Sequence, residues 1–301
     1  MYLEHFEIKE QPFNLTPNTQ YYCGLLTHES ALNVLLVGLQ NGEGFIKVTG
    51  EVGSGKTLVC RKLLNTLTNP FVTAYIPSPD LTPVELRFAI AKELGIKLIK
   101  SDNEARLREK LNHKLLEMNA AGKQVVLIVD EAQALSDECL EAVRLLTNLE
   151  TESEKLMHIV LFGQPELDEK LNTHQFRQLK QRITFSFEIT PLSKNDLDAY
   201  VFHRLSIAGY RKGPLFSATA LNLLYQHSGG TPRIINVLCH KAMMAAYGQG
   251  EHTITKQAMK SAIEDTKTGS PKPKGSAHYL WGAIVLLLGV TSFLVVQKLI
   301  G

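Results

Sequence analysis

The sequence predicts an α/β protein: a parallel sheet flanked by helices, followed by a smaller, all-helical unit. Three observations point there. From Phe45 onward, short apolar runs alternate with helical patterns, the rhythm of strand–helix–strand units. The run "QVVLIVDEAQ" is apolar without alternation before it meets its acids, as a strand covered on both faces is. After Pro191 the strand signals stop and only helical periods remain.

Each element has its own signal. "GFIKVT" (44–49) reads as the first strand, "KTLVCRKLLNTL" (56–67) as the helix behind it and "FVTAYI" (71–76) as the second strand. "TPVELRFAIAKELG" (82–95) opens with Thr82 as cap and Pro83 in the first turn, where its missing N–H costs nothing, and stops at Gly95. In "NEARLREKLNHKLLEM" (103–118), Leu107, Leu111 and Leu115 form an i, i+4 stripe that predicts core packing. "QVVLIVDEAQ" (124–133) is a buried strand ending in acids. "LSDECLEAVRLLTNLE" (135–150) has Ser136 as cap and Leu140, Val143, Leu146 and Leu149 along one face. "KLMHIVLFG" (155–163) is a further strand, and "ITFSFEI" (183–189) a later one with noisy alternation. Four helices follow, in 194–209, 217–230, 231–248 and 255–265, so the boundary between the two units falls near Thr190–Pro191.

Bulk properties narrow the class. At 301 residues, 44% of them hydrophobic and 21% charged, the chain has room for about two ordinary globular domains. A net charge of +2 gives no footprint for nucleic acid or an acidic substrate. Cys23, Cys60, Cys139 and Cys239 are far apart and form no C-x-x-C pair, which reads as reduced thiols rather than a disulfide framework or zinc site. "MYLEHFEIKE" carries charges where a signal peptide needs an apolar run. Tyr279 to Val296 is uncharged and, as a helix, spans about 27 Å, close to the hydrocarbon thickness of a bilayer. Tyr279 and Trp281 suit the water–lipid boundary. Lys267, Lys272 and Lys274 precede the segment and only Lys298 follows, so the positive-inside rule leaves the bulk of the chain in the cytoplasm. The expected organisation is a nucleotide-binding α/β domain with an N-terminal extension (1–190), a helical domain (191–265), a linker (266–278) and a single membrane-spanning helix (279–297).

Chemistry concentrates at the strand ends. "GEVGSGKT", Gly50 to Thr57, fits G-x-x-x-x-G-K-[ST] between a strand and a helix. Without side-chain bulk, such a loop wraps its N–H groups around phosphate oxygens in front of a helix N-terminus. The expected nucleotide contacts are Gly50, Glu51, Val52, Gly53, Ser54, Gly55, Lys56, Thr57 and Leu58. Lys56 reaches the β- and γ-phosphates, and the Thr57 hydroxyl binds Mg²⁺. Asp130 and Glu131 close a buried strand, where two carboxylates are costly unless a cation or water lies there. Asp130 is expected to hold the Mg²⁺ shell and Glu131 to take a proton from, or orient, the attacking water. That adjacency favours hydrolysis over transfer to a bound acceptor. Gln164, at the end of "HIVLFG", is placed to contact the γ-phosphate or the water, although Gln before Pro is also common in turns. Arg182 and Arg177 both precede "TFSFEI"; either is a candidate arginine finger, with a solvated basic face as the alternative. Thr231, Pro232 and Arg233 place an arginine at the start of a helix, where it can bridge to the phosphates and couple nucleotide state to domain closure.

Together, "PFNLTPNTQYYCG…HESAL", "GEVGSGKT", "VDEAQ.L", "FGQPEL", "QRITF" and "GGTPRIIN" resemble, in order, the AAA+ P-loop ATPases of the ExeA/GspA secretion type, and within them the branch serving MSHA-type pili. The resemblance covers residues 3 to 265. It implies a five-stranded parallel sheet with a helical lid, ATP with Mg²⁺ as cofactor, and a ring or other homo-oligomer. Asp130 and Glu131 become the magnesium and catalytic acids, Gln164 sensor 1, Arg182 the finger, with Arg177 as the fallback, and Arg233 sensor 2. "TPNTQYYCG" becomes a contributor to adenine binding. Longer secretion members carry a peptidoglycan-binding domain after the membrane helix. Here the sequence runs only to Gly301, which turns the expectation toward a pilus-type ATPase of the inner membrane with pilus or secretion assembly proteins as partners. The alternatives are a DNA-handling ATPase of the transposition-partner or helicase-loader type, against which the charge and the apolar segment argue, and a nucleotide-switched scaffold with slow turnover.

Overall fold

The computed structural model of the chain describes residues 2–99, 103–151 and 154–268. In order these form α1 (Tyr2–His5), α2 (Leu26–Gln40), β1 (Phe45–Gly50), α3 (Lys56–Thr66), β2 (Phe71–Ile76), α4 (Pro83–Glu93), α5 (Glu104–Ala120), β3 (Gln124–Val129), α6 (Asp137–Leu146), β4 (Met157–Gly163), α7 (Pro165–Leu171), α8 (Arg177–Arg182), β5 (Phe185–Ile189), α9 (Lys194–Ile207), α10 (Ala218–Ser228), α11 (Pro232–Gly248) and α12 (Lys256–Thr268). The expected membrane helix at 279–297 and most of its linker lie outside the described residues. Among the described residues no helix is long and apolar enough to cross a membrane.

The five strands pair in parallel in the order β2-β3-β4-β1-β5. This order positions the chemistry. Thr49 lies opposite Gly163, and Val129 opposite Leu161, so the carboxyl ends of β3, β4 and β1 sit side by side. Neighbouring strands are about 5 Å apart, which brings Asp130, Gln164 and the loop after Gly50 to one edge. β1, β3 and β4 are buried almost throughout, and their Val, Ile, Leu and Phe side chains fill both faces of the sheet. Each fully buried side chain of this kind contributes about 1.5–3 kcal/mol before the cost of ordering it. Lys47 is the exception on β1: its ammonium pairs with Asp168, which ties α7 to the central strand. β5 is an edge strand bonded only to β1, with Phe185 and Glu188 toward solvent, and this explains its noisy sequence pattern.

Local signals act as their chemistry requires. Thr82 and Glu85 form a reciprocal capping box at α4, and the Ser136 hydroxyl accepts the Cys139 N–H at α6. Leu107, Leu111 and Leu115 are buried on α5 as the stripe requires, whereas Leu149 packs against the same core from beyond the end of α6.

No start signal announces α2, although Asn41-Gly42 marks its end, with Gly42 left-handed at φ +76°. Leu25 stands at its cap position and makes no side-chain bond, yet Ala31, Leu32, Leu35 and Leu39 bury one face against β1 and α3. The residues before α2 do not pack on the sheet. Phe6, Ile8, Phe13 and Leu25 join the core of the helical unit with Leu197, Tyr200, Leu238 and Met243, and the rings of Phe13 and Phe216 meet edge-on at 6.0 Å. Residues 6–25 thus form a strap that belongs to the lid. Phe13→Ala is expected to lower the unfolding free energy by about 3 kcal/mol, as for a core phenylalanine. A loss under ~0.5 kcal/mol in a denaturant titration is the result for a loosely attached strap.

Candidate active site

The loop between β1 and α3 turns on two left-handed glycines, Gly53 (φ +80°) and Gly55 (φ +103°). Both are also in close contact with other parts of the chain. A Cβ on Gly53 meets the Arg233 Cβ at 2.5 Å, and one on Gly55 meets His28 Nε2 at 2.7 Å. His28 is buried and donates from Nε2 to the Ser54 carbonyl at 2.8 Å; burial pushes its pKa down, which keeps the ring neutral for that bond. The Arg233 N–H donates to the Gly53 carbonyl at 3.2 Å. Lys56 is 4% exposed, and its ammonium donates to the Gly50 and Glu51 carbonyls at 2.7 and 3.0 Å. Burial pushes the Lys56 pKa down, while Glu131, Asp130, Glu51 and Glu166 oppose that shift. The Ser54 hydroxyl is buried and has no hydrogen-bond partner among the described residues. A cation, an unpartnered hydroxyl and a glycine cradle opening onto the start of α3 fit a polyphosphate.

The twin acids behave differently. Asp130 is 2% exposed and accepts the Glu131 N–H at 2.9 Å and a hydrogen bond from Thr57. Burial raises its pKa in spite of both bonds. Thr57 and Asp130 together form the oxygen pair that suits a divalent cation such as Mg²⁺. Glu131 adopts a left-handed backbone at φ +52°, strained for a non-glycine residue by about 1 kcal/mol or more. Its carboxylate accepts from Gln133 Nε2 at 2.6 Å and from Gln164 Nε2 at 3.0 Å. Burial works to raise its pKa, but these two donors and Lys56 outweigh it and hold the carboxyl below its usual range. Gln133 does more, because its Oε1 accepts the Gln164 N–H at 3.0 Å, so one amide fixes both Glu131 and the start of α7.

These groups face a cavity of about 280 Å³. Gly53, Gly55, Lys56, Thr57, Glu131 and Gln164 line one end, with Arg233 above the loop. Asn14, Thr16 and Asn18 of the strap and Tyr200, Arg204 and Asn236 of the lid line the rest. The structure therefore brings the expected residues Gly50 to Leu58, Asp130, Glu131, Gln164 and Arg233 to one place. It does not bring Arg182 there. Arg182 donates from Nη1 to the Thr147 hydroxyl and carbonyl at 2.8 and 3.2 Å, beside the start of β1, roughly 17 Å along that strand from Gly50. Arg177 is exposed at the start of α8. His28, Gln133 and Arg204 are the residues to which sequence reasoning gave no role. The first two stand inside the quoted "HESAL" and "VDEAQ" strings, and only the fold shows what they touch.

Residues 39–171 match the AAA domain family. General secretion pathway protein A of Aeromonas hydrophila is 45% identical over 254 residues, which are 84% of this chain and 46% of that protein. The chain carries an AAA domain and is similar to GspA over most of its length. ATP-dependent target DNA activator B of phage Mu is 29% identical over 213 residues, 69% of this chain and 62% of the phage protein. The chain spans about half the length of the Aeromonas relative. Among solved structures, Cdc6p of Pyrobaculum aerophilum aligns at TM-score 0.62 with 19% identity, covering 82% of this chain and 71% of that one. The Aeropyrum pernix ORC2 protein in its ADP form aligns at 0.61 with 14% identity, covering 87% and 72%. These two share the fold of this AAA+ chain.

Gln133→Leu removes one donor from Glu131 and leaves burial less opposed, so the Glu131 pKa rises. The expected result is an acid limb of the kcat–pH profile moved to higher pH. An unmoved limb in folded protein means that Gln133 does not set the ionisation of Glu131.

Proposed function

We propose that the chain hydrolyses Mg·ATP and, anchored in the inner membrane through residues 279–297, supports assembly of a type IV-like pilus of the MSHA type or of a secretion apparatus. The observation that carries the catalytic part is the Glu131 carboxylate, kept ionised by Gln133 and Gln164 at the mouth of the phosphate loop. An ionised carboxylate there accepts a proton from a water aligned on the terminal phosphate. Gln164, fixed by Gln133, orients the same water. Lys56 neutralises phosphate charge, and Thr57 with Asp130 holds the magnesium, whose role is to offset charge on the transferring group. Arg233 carries the phosphate state to the lid through α11. The position of Arg182, away from its own loop, fits a finger that completes the site of a neighbouring copy in a homo-oligomer.

The membrane part rests on the uncharged stretch Tyr279–Val296 and the lysines before it. The phage relative's name motivates a second reading, a DNA-handling ATPase. A net charge of +2 supplies no broad basic surface for it, and a salt-dependent gel shift with duplex or single-stranded DNA is the result that revives it.

Lys56→Ala is expected to abolish measurable Mg·ATP binding in calorimetry. Glu131→Gln retains ATP but turns it over about 10²-fold more slowly or worse; turnover at the parental rate removes Glu131 from the role of base. Full-length protein is expected to stay with membranes after a salt wash while residues 1–270 do not, and release of the whole chain refutes the anchor. Arg182→Ala is expected to lose activity only in assembled protein. An equal loss in a monomer contradicts action in trans.

A further inference from the structure

Arg204 lies on lid helix α9, 6% exposed, with its guanidinium spread over the strap. Nε donates to the Pro12 carbonyl at 2.5 Å and Nη2 to the Asn14 carbonyl at 3.2 Å. Nη1 donates to the Tyr200 hydroxyl at 2.9 Å, and that hydroxyl donates to Asn236 Oδ1 at 3.0 Å. The guanidinium also lies over the Tyr21 ring, 4.7 Å from its centroid. Beyond Asn14, the strap turns back on itself: Asn14 Oδ1 accepts the Thr16 N–H and Asn18 Oδ1 the Gln20 N–H. Arg61 of α3 holds the far end, donating to the Pro17 carbonyl at 2.5 Å. The segment 14–18 is therefore a short wall of the cavity, fixed by one arginine from the lid and another from the helix that follows the phosphate loop.

Burying an arginine is expensive, and hydrophobic contact alone would keep the strap on the lid, since Phe6, Ile8 and Phe13 already do so. What the guanidinium adds is registration: planar, branched donors fix two carbonyls and a phenol at once. Tyr200, Arg204 and Asn236 all line the cavity together with the strap residues Asn14 to Asn18, and none of them bonds to the phosphate loop. Asn236 stands on α11, whose first turn carries Arg233 at the phosphate loop.

We propose that Arg204 is a positioning residue for the base end of the nucleotide: it sets the strap wall against which the flat heteroaromatic base is bound and ties that wall to the lid. This rests on the cavity being a nucleotide site. Arg204 acts through the strap and α11, and the phosphate end is built without it.

The full-length protein and Arg204→Met are titrated with ATP and, separately, with inorganic tripolyphosphate, which presents the phosphates without a base. The expected result is an ATP Kd raised about tenfold or more, the size of losing charge-assisted bonds, with the tripolyphosphate Kd within about twofold of the parent. Equal weakening of both ligands overturns the proposal, because a general structural defect does that; so does parental ATP affinity in the variant. If the parent binds neither ligand, the nucleotide reading itself fails, and the role of Arg204 with it. Tyr200→Phe deletes only the hydroxyl that joins Arg204 to Asn236, so it keeps the test open should Arg204→Met not fold. Its ATP Kd is expected to rise about threefold or more at constant tripolyphosphate affinity, and no rise refutes the proposal.

Discussion

The pocket depends on where the carbonyls of one short loop point. Each peptide unit sets its C=O and N–H on opposite sides, so a loop can aim its N–H groups inward only if its carbonyls are satisfied outward. Gly50 and Glu51 carbonyls accept from Lys56, Gly53 from the Arg233 N–H, Ser54 from His28, and Gly55 from the N–H groups of Leu58 and Val59. The donors come from α3, α11 and α2, three separate parts of the chain. This is also why Gly53 and Gly55 have no room for a Cβ: the space is filled by the residues that hold the carbonyls.

A second constraint follows from the strand order. Because β4 lies between β3 and β1, the amide of Gln164 stands between the acids and the phosphate loop, within reach of Glu131. Burial alone drives both carboxyl groups toward their neutral forms. Asp130, the more deeply buried, is shifted upward in spite of its bonds from Thr57 and the Glu131 N–H, whereas the Gln133 and Gln164 amides and Lys56 hold Glu131 below its usual range. Adjacent residues on one strand end are thus shifted in opposite directions, upward by burial at Asp130 and downward by nearby donors at Glu131.

Much of this was legible in the sequence because glycine, lysine, paired acids and capping residues have few physical reasons to recur at such spacings. Strands buried on both faces and helices with caps were found at nearly their observed limits. The misses share a cause. α2 has no polar cap at its start, α7 and α8 are too short to show a period, and the strap holds only a single 3₁₀ turn, Thr19–Tyr21. His28, Gln133 and Arg204 act on backbone or side chains 26, 31 and about 190 residues away, as in His28 to Ser54, Gln133 to Gln164 and Arg204 to Pro12 or Asn14. No local pattern encodes such pairings. Arg182 shows the opposite limit: its position in a recognisable string was clear, while its partner in this chain, Thr147, was not.

The two units share the cavity unequally. The sheet side supplies the phosphate loop, Glu131 and Gln164, and the strap and lid supply further walls of the cavity, with the Arg233 N–H bonded to the Gly53 carbonyl of the loop. A ligand spanning both ends would add a further link between two units already joined through Pro191, α2, the strap and the Arg233–Gly53 bond. Its binding energy is then available to hold the lid at a given angle. On the proposed function, loss of the terminal phosphate removes the partner of the Arg233 side chain while the base end stays seated, so the lid would be loosened at one end and retained at the other. A hinge of that kind, with one fixed and one switchable contact, would convert chemistry at the γ-position into a rotation rather than a release.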